Sequence, residues 1–94
     1  MRKAKVDNTH GPIRDALRAI GCVCADCHRH GDGFPDMFVY DPVSGASWLV
    51  EIKTGNKKLT EHEEAFFDTF DGCDILVIWR SIEDALAAVQ NARM

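Results

Sequence analysis

The sequence predicts one α/β domain with the element order αβββαβα, a mixed sheet flanked by helices. Two observations lead there. Met37-Phe38-Val39-Tyr40 and residues 46–53, the latter carrying Trp48, Leu49, Val50 and Ile52, are two β-like runs separated by the turn formers Asp41-Pro42-Val43-Ser44-Gly45, which is the pattern of a hairpin. Downstream, an apolar stripe at helical spacing in residues 60–70 precedes an uninterrupted apolar run in residues 75–79, so a helix leads into a strand. With 94 residues the chain has room for one such domain, residues 1–94, and for no separate module.

Each element has a local reason. A helix is expected over residues 11–20, with Pro12 suited to its first turn. Strands follow near 22–27, 37–41 and 47–53. Between the last two, Pro42 presets φ for a turn and Gly45 can take a positive φ. The helix over 60–70 carries Ala65, Phe66, Phe67 and Phe70, a stripe expected to be core, and Asp71-Gly72 ends it. The continuous run 75–79 is expected to be a strand buried on both faces. Ser81 caps a final helix, with Glu83 and Asp84 in its first turn and Leu86 and Val89 facing inward.

The hairpin gathers chemistry at one end. Side chains alternate along a strand, so Val50 and Ile52 belong to the core while Glu51 and Lys53 point to the opposite face. Pairing returns the end of the second run to the start of the first, where Asp36 follows Pro35. Asp36, Glu51 and Lys53 are therefore expected to converge. Asp36 and Glu51 are hard oxygen ligands for Mg2+ or Mn2+, and the Ile52 backbone carbonyl supplies a third oxygen. Such an ion polarises a phosphodiester and lowers the pKa of a bound water. Lys53 orients or helps to deprotonate that water and offsets charge on the pentacovalent transition state. The plainer reading of the same residues is a surface hairpin with an ordinary Glu–Lys pair.

Gly33-Phe34-Pro35-Asp36-Met37-Phe38-Val39, then Trp48-Leu49-Val50-Glu51-Ile52-Lys53, then Lys58-Leu59-Thr60 opening a helix, resemble the PD-(D/E)xK nuclease superfamily, and within it the small stand-alone VRR-NUC type of phages and bacteria. Val6-Asp7-Asn8, before a helix ending near Leu17-Arg18-Ala19-Ile20-Gly21, is similar to the opening of that branch. Cys73-Asp74-Ile75-Leu76-Val77-Ile78 and Ser81-Ile82-Glu83-Asp84-Ala85-Leu86 are similar to its last strand and helix. The likeness covers almost the whole chain in the same order. It implies a restriction-endonuclease-like fold and metal-dependent endodeoxyribonuclease activity, often on branched DNA such as four-way (Holliday) junctions, and often a homodimer. Members commonly place a glutamine on the helix after Leu-Thr, where this chain has Glu63. Thr60 and Glu63 also read as a helix capping box, and the two roles are compatible. The superfamily often uses an acidic residue near the first helix. Asp7 and Asp15 are the candidates, although Asp7 falls where a cap is the commoner explanation and Asp15 where a solvated helix residue is.

The cysteines compete for attention. Cys22, Cys24, Cys27, His28 and His30 fall within nine residues, and Cys24-Ala25-Asp26-Cys27-His28 matches the c-type haem attachment pattern. Haem attachment needs an exported protein, and the opening Met-Arg-Lys-Ala-Lys-Val-Asp has no apolar stretch behind its basic residues. Structural zinc sites pair two separated ligand clusters, whereas here there is one cluster plus Cys73. A dithiol redox pair, Cys24 and Cys27, lacks the surrounding βαβ pattern. The simplest expectation is that Cys22 and Cys24 fill one face of a strand as small apolar residues; His28 and His30 then lie near the loop to Asp36, in a plain surface role, in contact with phosphate or, for one of them, as an auxiliary acid.

The net charge of −4 hides an uneven distribution. Residues 1–58 carry nine Lys/Arg against seven Asp/Glu, and residues 59–94 two against eight. Arg14, Arg18, Arg29, Lys57 and Lys58, joined by Arg2, Lys3 and Lys5, are the candidates for a DNA-facing surface on phosphates; the plainer reading is scattered solvated charges. Phe34, Met37, Trp48, Trp79 and the Phe66–Phe67–Phe70 group offer apolar surface for a homodimer. No apolar run reaches the length of a membrane span, and four cysteines without an export signal place the chain in the cytoplasm of a bacterial or phage-infected cell. Two functions are open: a Mg2+- or Mn2+-dependent DNA endonuclease, and a non-catalytic nucleic-acid- or zinc-binding module that keeps the nuclease fold.

Overall fold

A computed structural model describes residues 10–27, 31 and 33–94. Its elements are α1 (His10–Ala19), β1 (Val23–Asp26), β2 (Met37–Tyr40), β3 (Ser47–Ile52), α2 (Glu61–Thr69), β4 (Leu76–Trp79) and α3 (Ile82–Arg93). This is an α/β arrangement with a four-stranded mixed sheet and three helices, in the expected chain order. The sheet runs β1-β2-β3-β4, antiparallel in its first two pairings and parallel between β3 and β4. The parallel pair needs a crossover, and the segment containing α2 supplies it.

Alternation sorts the strand residues onto two faces. Cys24 pairs with Val39 and Met37 with Val50, and all four are buried with Ile52 and Trp79 against Ile13 and Leu17 of α1 and Ala85 and Val89 of α3. The other face carries Val23, Phe38 and Tyr40, which are exposed, and Glu51, which is not. The β2–β3 turn closes as its residues dictate: the Asp41 N–H donates to the Ala46 carbonyl and the Gly45 N–H to the Asp41 carbonyl, both at 2.8 Å, with Gly45 at φ +80°. Among the described residues no helix is long and apolar enough to cross a membrane.

Three expectations need correction. The stripe on α2 is not core: no residue of that helix is buried, Phe66 and Phe67 are half-buried and Phe70 is exposed. The Phe66 ring meets Phe34 edge-on and lies beside Phe70. The run ending in Trp79 forms an edge strand, in which only Trp79 is buried, Leu76, Val77 and Ile78 are half-buried, and Ile75 before it is exposed. Met37 and Trp79 are consumed by the core, while Trp48 is half-buried and packs on Trp79 with ring centroids 5.8 Å apart. Ala85, with Val89, provides the inward face of α3, and Leu86 is half-buried.

Candidate active site

Asp36 comes just before the Met37–Val50 pair that closes the β2–β3 ladder, within electrostatic reach of Glu51. The Asp36 backbone is held on both sides: its N–H donates to the Val50 carbonyl at 2.8 Å and its carbonyl accepts the Cys27 N–H at 2.7 Å. Its carboxylate accepts the Ile52 N–H at 2.8 Å. The side chain therefore continues the ladder just before β2 begins, which fixes the carboxylate at the end of the hairpin. Lys53 Nζ lies 3.6 Å from Glu51 Oε2 and 2.7 Å from Glu63 Oε1. Asp36, Glu51, Lys53 and Glu63 thus meet in one place, drawn from β3, the start of β2 and the first turn of α2.

Glu63 has the two roles the sequence left open. Its carboxylate accepts the Thr60 N–H at 2.8 Å while its own N–H donates to Thr60 Oγ1 at 3.2 Å, a complete capping box. The α2 turn comes close enough because Gly33, at φ +80°, has no side chain: a Cβ there would run into the His62 carbonyl and the Glu63 nitrogen. Phe34 then sets its ring edge-on to Phe66, centroids 5.2 Å apart. Gly33 and Phe34 lead through Pro35 to Asp36, so the same loop carries a carboxylate and seats the helix.

Glu51 is 2 % exposed, which rules out the surface-hairpin reading. Burial, with the Asp36 and Glu63 carboxylates nearby, pushes its pKa up to about 9, against a weaker pull from Lys53. Its Oε1 is buried without a hydrogen-bond partner. At Lys53, burial works to lower the pKa, but the Glu63 hydrogen bond and the surrounding carboxylates outweigh it and hold the amine above the ordinary lysine range. Lys53 is accordingly an ammonium at neutral pH. It offsets charge as found and takes a proton only after giving one up, which narrows the two roles expected of it. At Glu63 burial works upward, but the hydrogen bonds from Lys53 and Thr60 prevail and lower its pKa.

One residue here was not anticipated. His10, the first residue of α1, is buried, and its Nε2 stands 3.6 Å from Asp36 Oδ2. His10, Ile13 and Leu17 are the buried residues of α1, spaced by three and four along one face. That spacing was visible in the sequence, but an acid was sought there, and Asp15 is exposed. Arg80 was also missed: its Nη1 donates to the Gly55 and Lys57 carbonyls at 2.8 and 2.7 Å, holding the basic loop beside the site.

The remaining candidates separate. Lys57 and Lys58 are exposed. Arg14 is paired with Asp26 at 3.2 Å, and Arg18 donates to the Cys24 carbonyl at 3.1 Å, so both have partners at the α1–β1 junction. Asp7, His28, Arg29 and His30 lie outside the described residues, as do Arg2, Lys3 and Lys5. Cys22 and Cys24 are buried in the core as small apolar residues, Cys27 is half-buried and Cys73 exposed. Burial pushes the thiols of Cys22, Cys24 and Cys27 up.

Among the described residues no three His, Cys, Asp or Glu side chains form a ready-made cage for an ion. The donors that do come near one another are hard oxygens, the Asp36 and Glu51 carboxylates, with the Ile52 N–H bound to Asp36. A divalent cation fits them because it gives the unpartnered Glu51 oxygen a partner and relieves the repulsion between the two acids. Comparisons of the chain with protein-family models, with curated proteins and with solved structures found no match.

Proposed function

We propose that the chain is a Mg2+- or Mn2+-dependent DNA endonuclease of the PD-(D/E)xK type, built on the restriction-endonuclease-like version of this fold and related to the VRR-NUC branch. The observation that carries this reading is the buried Glu51 carboxylate. It lies near the Asp36 carboxylate, with one oxygen unpartnered and an ammonium 3.6 Å away. Burying a carboxylate beside another is costly unless a cation compensates. Asp36, Glu51 and the Ile52 carbonyl would hold the metal, which would supply polarisation of the phosphodiester and activation of water. Lys53 places positive charge where the phosphorane gains negative charge. The exposed Lys57 and Lys58, on the loop fixed by Arg80, give the phosphate backbone a landing point.

Branched DNA is the proposed substrate class and a homodimer the proposed assembly. Symmetric cleavage of a four-way junction needs two sites, and a two-fold dimer supplies them. Val23, Phe38 and Tyr40, on the sheet face turned away from α1 and α3, are exposed at 56, 37 and 40 % and offer the apolar surface for it. Light scattering at micromolar concentration tests the assembly.

The deciding experiment incubates the protein with single-stranded, duplex, flap and four-way-junction DNA, with Mg2+ or Mn2+ and with chelator. Cleavage is expected with metal only, and Asp36→Ala or Glu51→Ala should abolish it while the circular dichroism spectrum is kept. Lys53→Ala should lose most activity and still bind metal. Wild-type cleavage by Asp36→Ala ends the mechanism. Stoichiometric zinc with no cleavage of any substrate replaces it with a non-catalytic binding module.

A further inference from the structure

We infer that Glu63 is a positioning residue for Lys53, and that what Lys53 requires from it is the acceptor oxygen more than the negative charge. The activity arm of this inference rests on the nuclease reading; its spectroscopic arm does not.

The geometry is economical. One atom, Glu63 Oε1, accepts the Thr60 N–H at 2.8 Å and meets Lys53 Nζ at 2.7 Å. The first contact locks the oxygen to the start of α2 and the second hands that fixed position to the ammonium. Lys53 otherwise ends in a flexible four-carbon stem with three rotatable donors. Its contact with Glu51 is 3.6 Å, beyond hydrogen-bond reach. Remove Glu63, and Glu51, the carboxylate proposed to hold the metal, is left 3.6 Å from the ammonium. Glu63 therefore keeps the lysine beside the metal position and off it.

The α2 turn is set by the same loop that sets Asp36. No residue of α2 is buried, so its first turn is located by the close approach of Gly33 to His62 and Glu63 and by the Phe34–Phe66 ring pair. Asp36 lies three residues after Gly33. The carboxylate that takes the metal and the acceptor that aims the lysine are thus referenced to one short segment. A glutamine at position 63 retains a carbonyl oxygen with two lone pairs, enough for both the Thr60 N–H and the ammonium. Alanine retains neither.

Three variants separate aim from helix capping. Thr60→Ala removes the hydroxyl half of the capping box and leaves the Glu63 oxygen in place. Glu63→Ala removes cap and acceptor together. Glu63→Gln preserves both and removes the charge. With 15N-lysine labelling, the slowly exchanging Lys53 Nζ resonance of a held ammonium is expected in wild type, Thr60→Ala and Glu63→Gln, and lost in Glu63→Ala. In the metal-dependent cleavage assay, kcat should fall on the order of tenfold or more in Glu63→Ala with KM little changed, and glutamine should restore most of it. A Glu63→Ala protein that keeps the Lys53 resonance overturns the inference. So does a Thr60→Ala protein that loses as much kcat as Glu63→Ala, since the helix cap alone would then account for the effect. If the wild type cleaves none of the substrates, the nuclease reading falls and the resonance alone decides the role of Glu63.

Discussion

Arg93, next to the last residue of the chain, grips Asp41 with two contacts: Nε to Oδ2 at 3.0 Å and Nη2 to Oδ1 at 2.9 Å. Asp41 is fully buried. Its carboxylate also accepts the Val43 and Ser44 N–H groups and the Ser44 hydroxyl, the last at 2.7 Å. Arg93 Nη2 further donates to the Ile20 carbonyl at the end of α1. A forked guanidinium–carboxylate pair of this kind is both directional and strong. It joins the β2–β3 turn, the end of α1 and the end of α3, at the opposite end of β2 from Asp36.

The Arg93 hydrogen bonds, with those from Ser44 and Val43, hold the Asp41 pKa well below the usual carboxylate range despite its burial. A depressed folded-state pKa contributes stability that is complete above the unfolded value, about 3.9, and is lost as pH falls through the folded value. Asp41→Asn should therefore lower Tm clearly at pH 7, because it leaves the guanidinium without its charge partner. The gap between variant and wild type should narrow below about pH 4. Thermal melts from pH 2 to 7 check this, and a gap that stays constant to pH 2 removes the assigned role.

Gly33 carries a different constraint. At φ +80° with the His62 carbonyl against it, an alanine is strained in its backbone and blocked by main-chain atoms that cannot rotate away. Gly33→Ala should cost about 2 kcal/mol and push α2 off the Asp36 loop. Metal-dependent cleavage should fall with it, since Glu63 and Asp36 shift together. Urea titration and the cleavage assay measure the two effects. Unchanged stability would mean that the loop and α2 are not seated as described.

The parts of this site that were legible in the sequence are the local ones. The turn formers 41–45 fix the register of the hairpin, and a period of two then dictates that Glu51 and Lys53 share a face at the end where Asp36 stands. The Thr60–Glu63 capping box is a spacing of three and reads directly. What could not be read depends on distant pairing. An apolar run such as the one ending in Trp79 looks the same whether its strand is central or at an edge. The α2 stripe has the spacing of a core helix, but which surface it meets is decided by Gly33 and Phe34, about thirty residues earlier. The Arg93–Asp41 and Arg80–Gly55 contacts leave no local trace.

Cys24 and Cys27 offer a test of the metal assignment from the other side. Replacing both with alanine removes the thiols most open to a zinc reading, while Cys24 belongs to the core at 8 % exposure. The double variant should lose about 1 kcal/mol of stability and retain its metal-dependent cleavage. Elemental analysis beside denaturant unfolding settles it. A wild type that carries one zinc, and a variant that loses that zinc and unfolds, would return the cysteines to the centre of the function.

Glu51 should show the cost of keeping a functional carboxylate in a closed site. Its folded-state pKa, raised to about 9 by burial and by the neighbouring acids, exceeds the unfolded value of about 4.3. Between those values the folded protein holds a proton that the unfolded chain releases, so this group makes the metal-free protein less stable as pH rises. Glu51→Gln removes the titration and keeps the shape. In chelator at pH 8 the variant should melt roughly 5 °C or more above wild type, with the difference shrinking towards pH 5. Adding Mn2+ should raise the wild-type Tm by mass action and leave the variant nearly unmoved, because the amide is a poor substitute for a charged ligand. Cleavage should be lost in the variant under all these conditions. A Glu51→Gln protein that is less stable than wild type in chelator at pH 8 would show that the carboxylate is there for packing, and the argument from its burial to a bound cation would lose its footing.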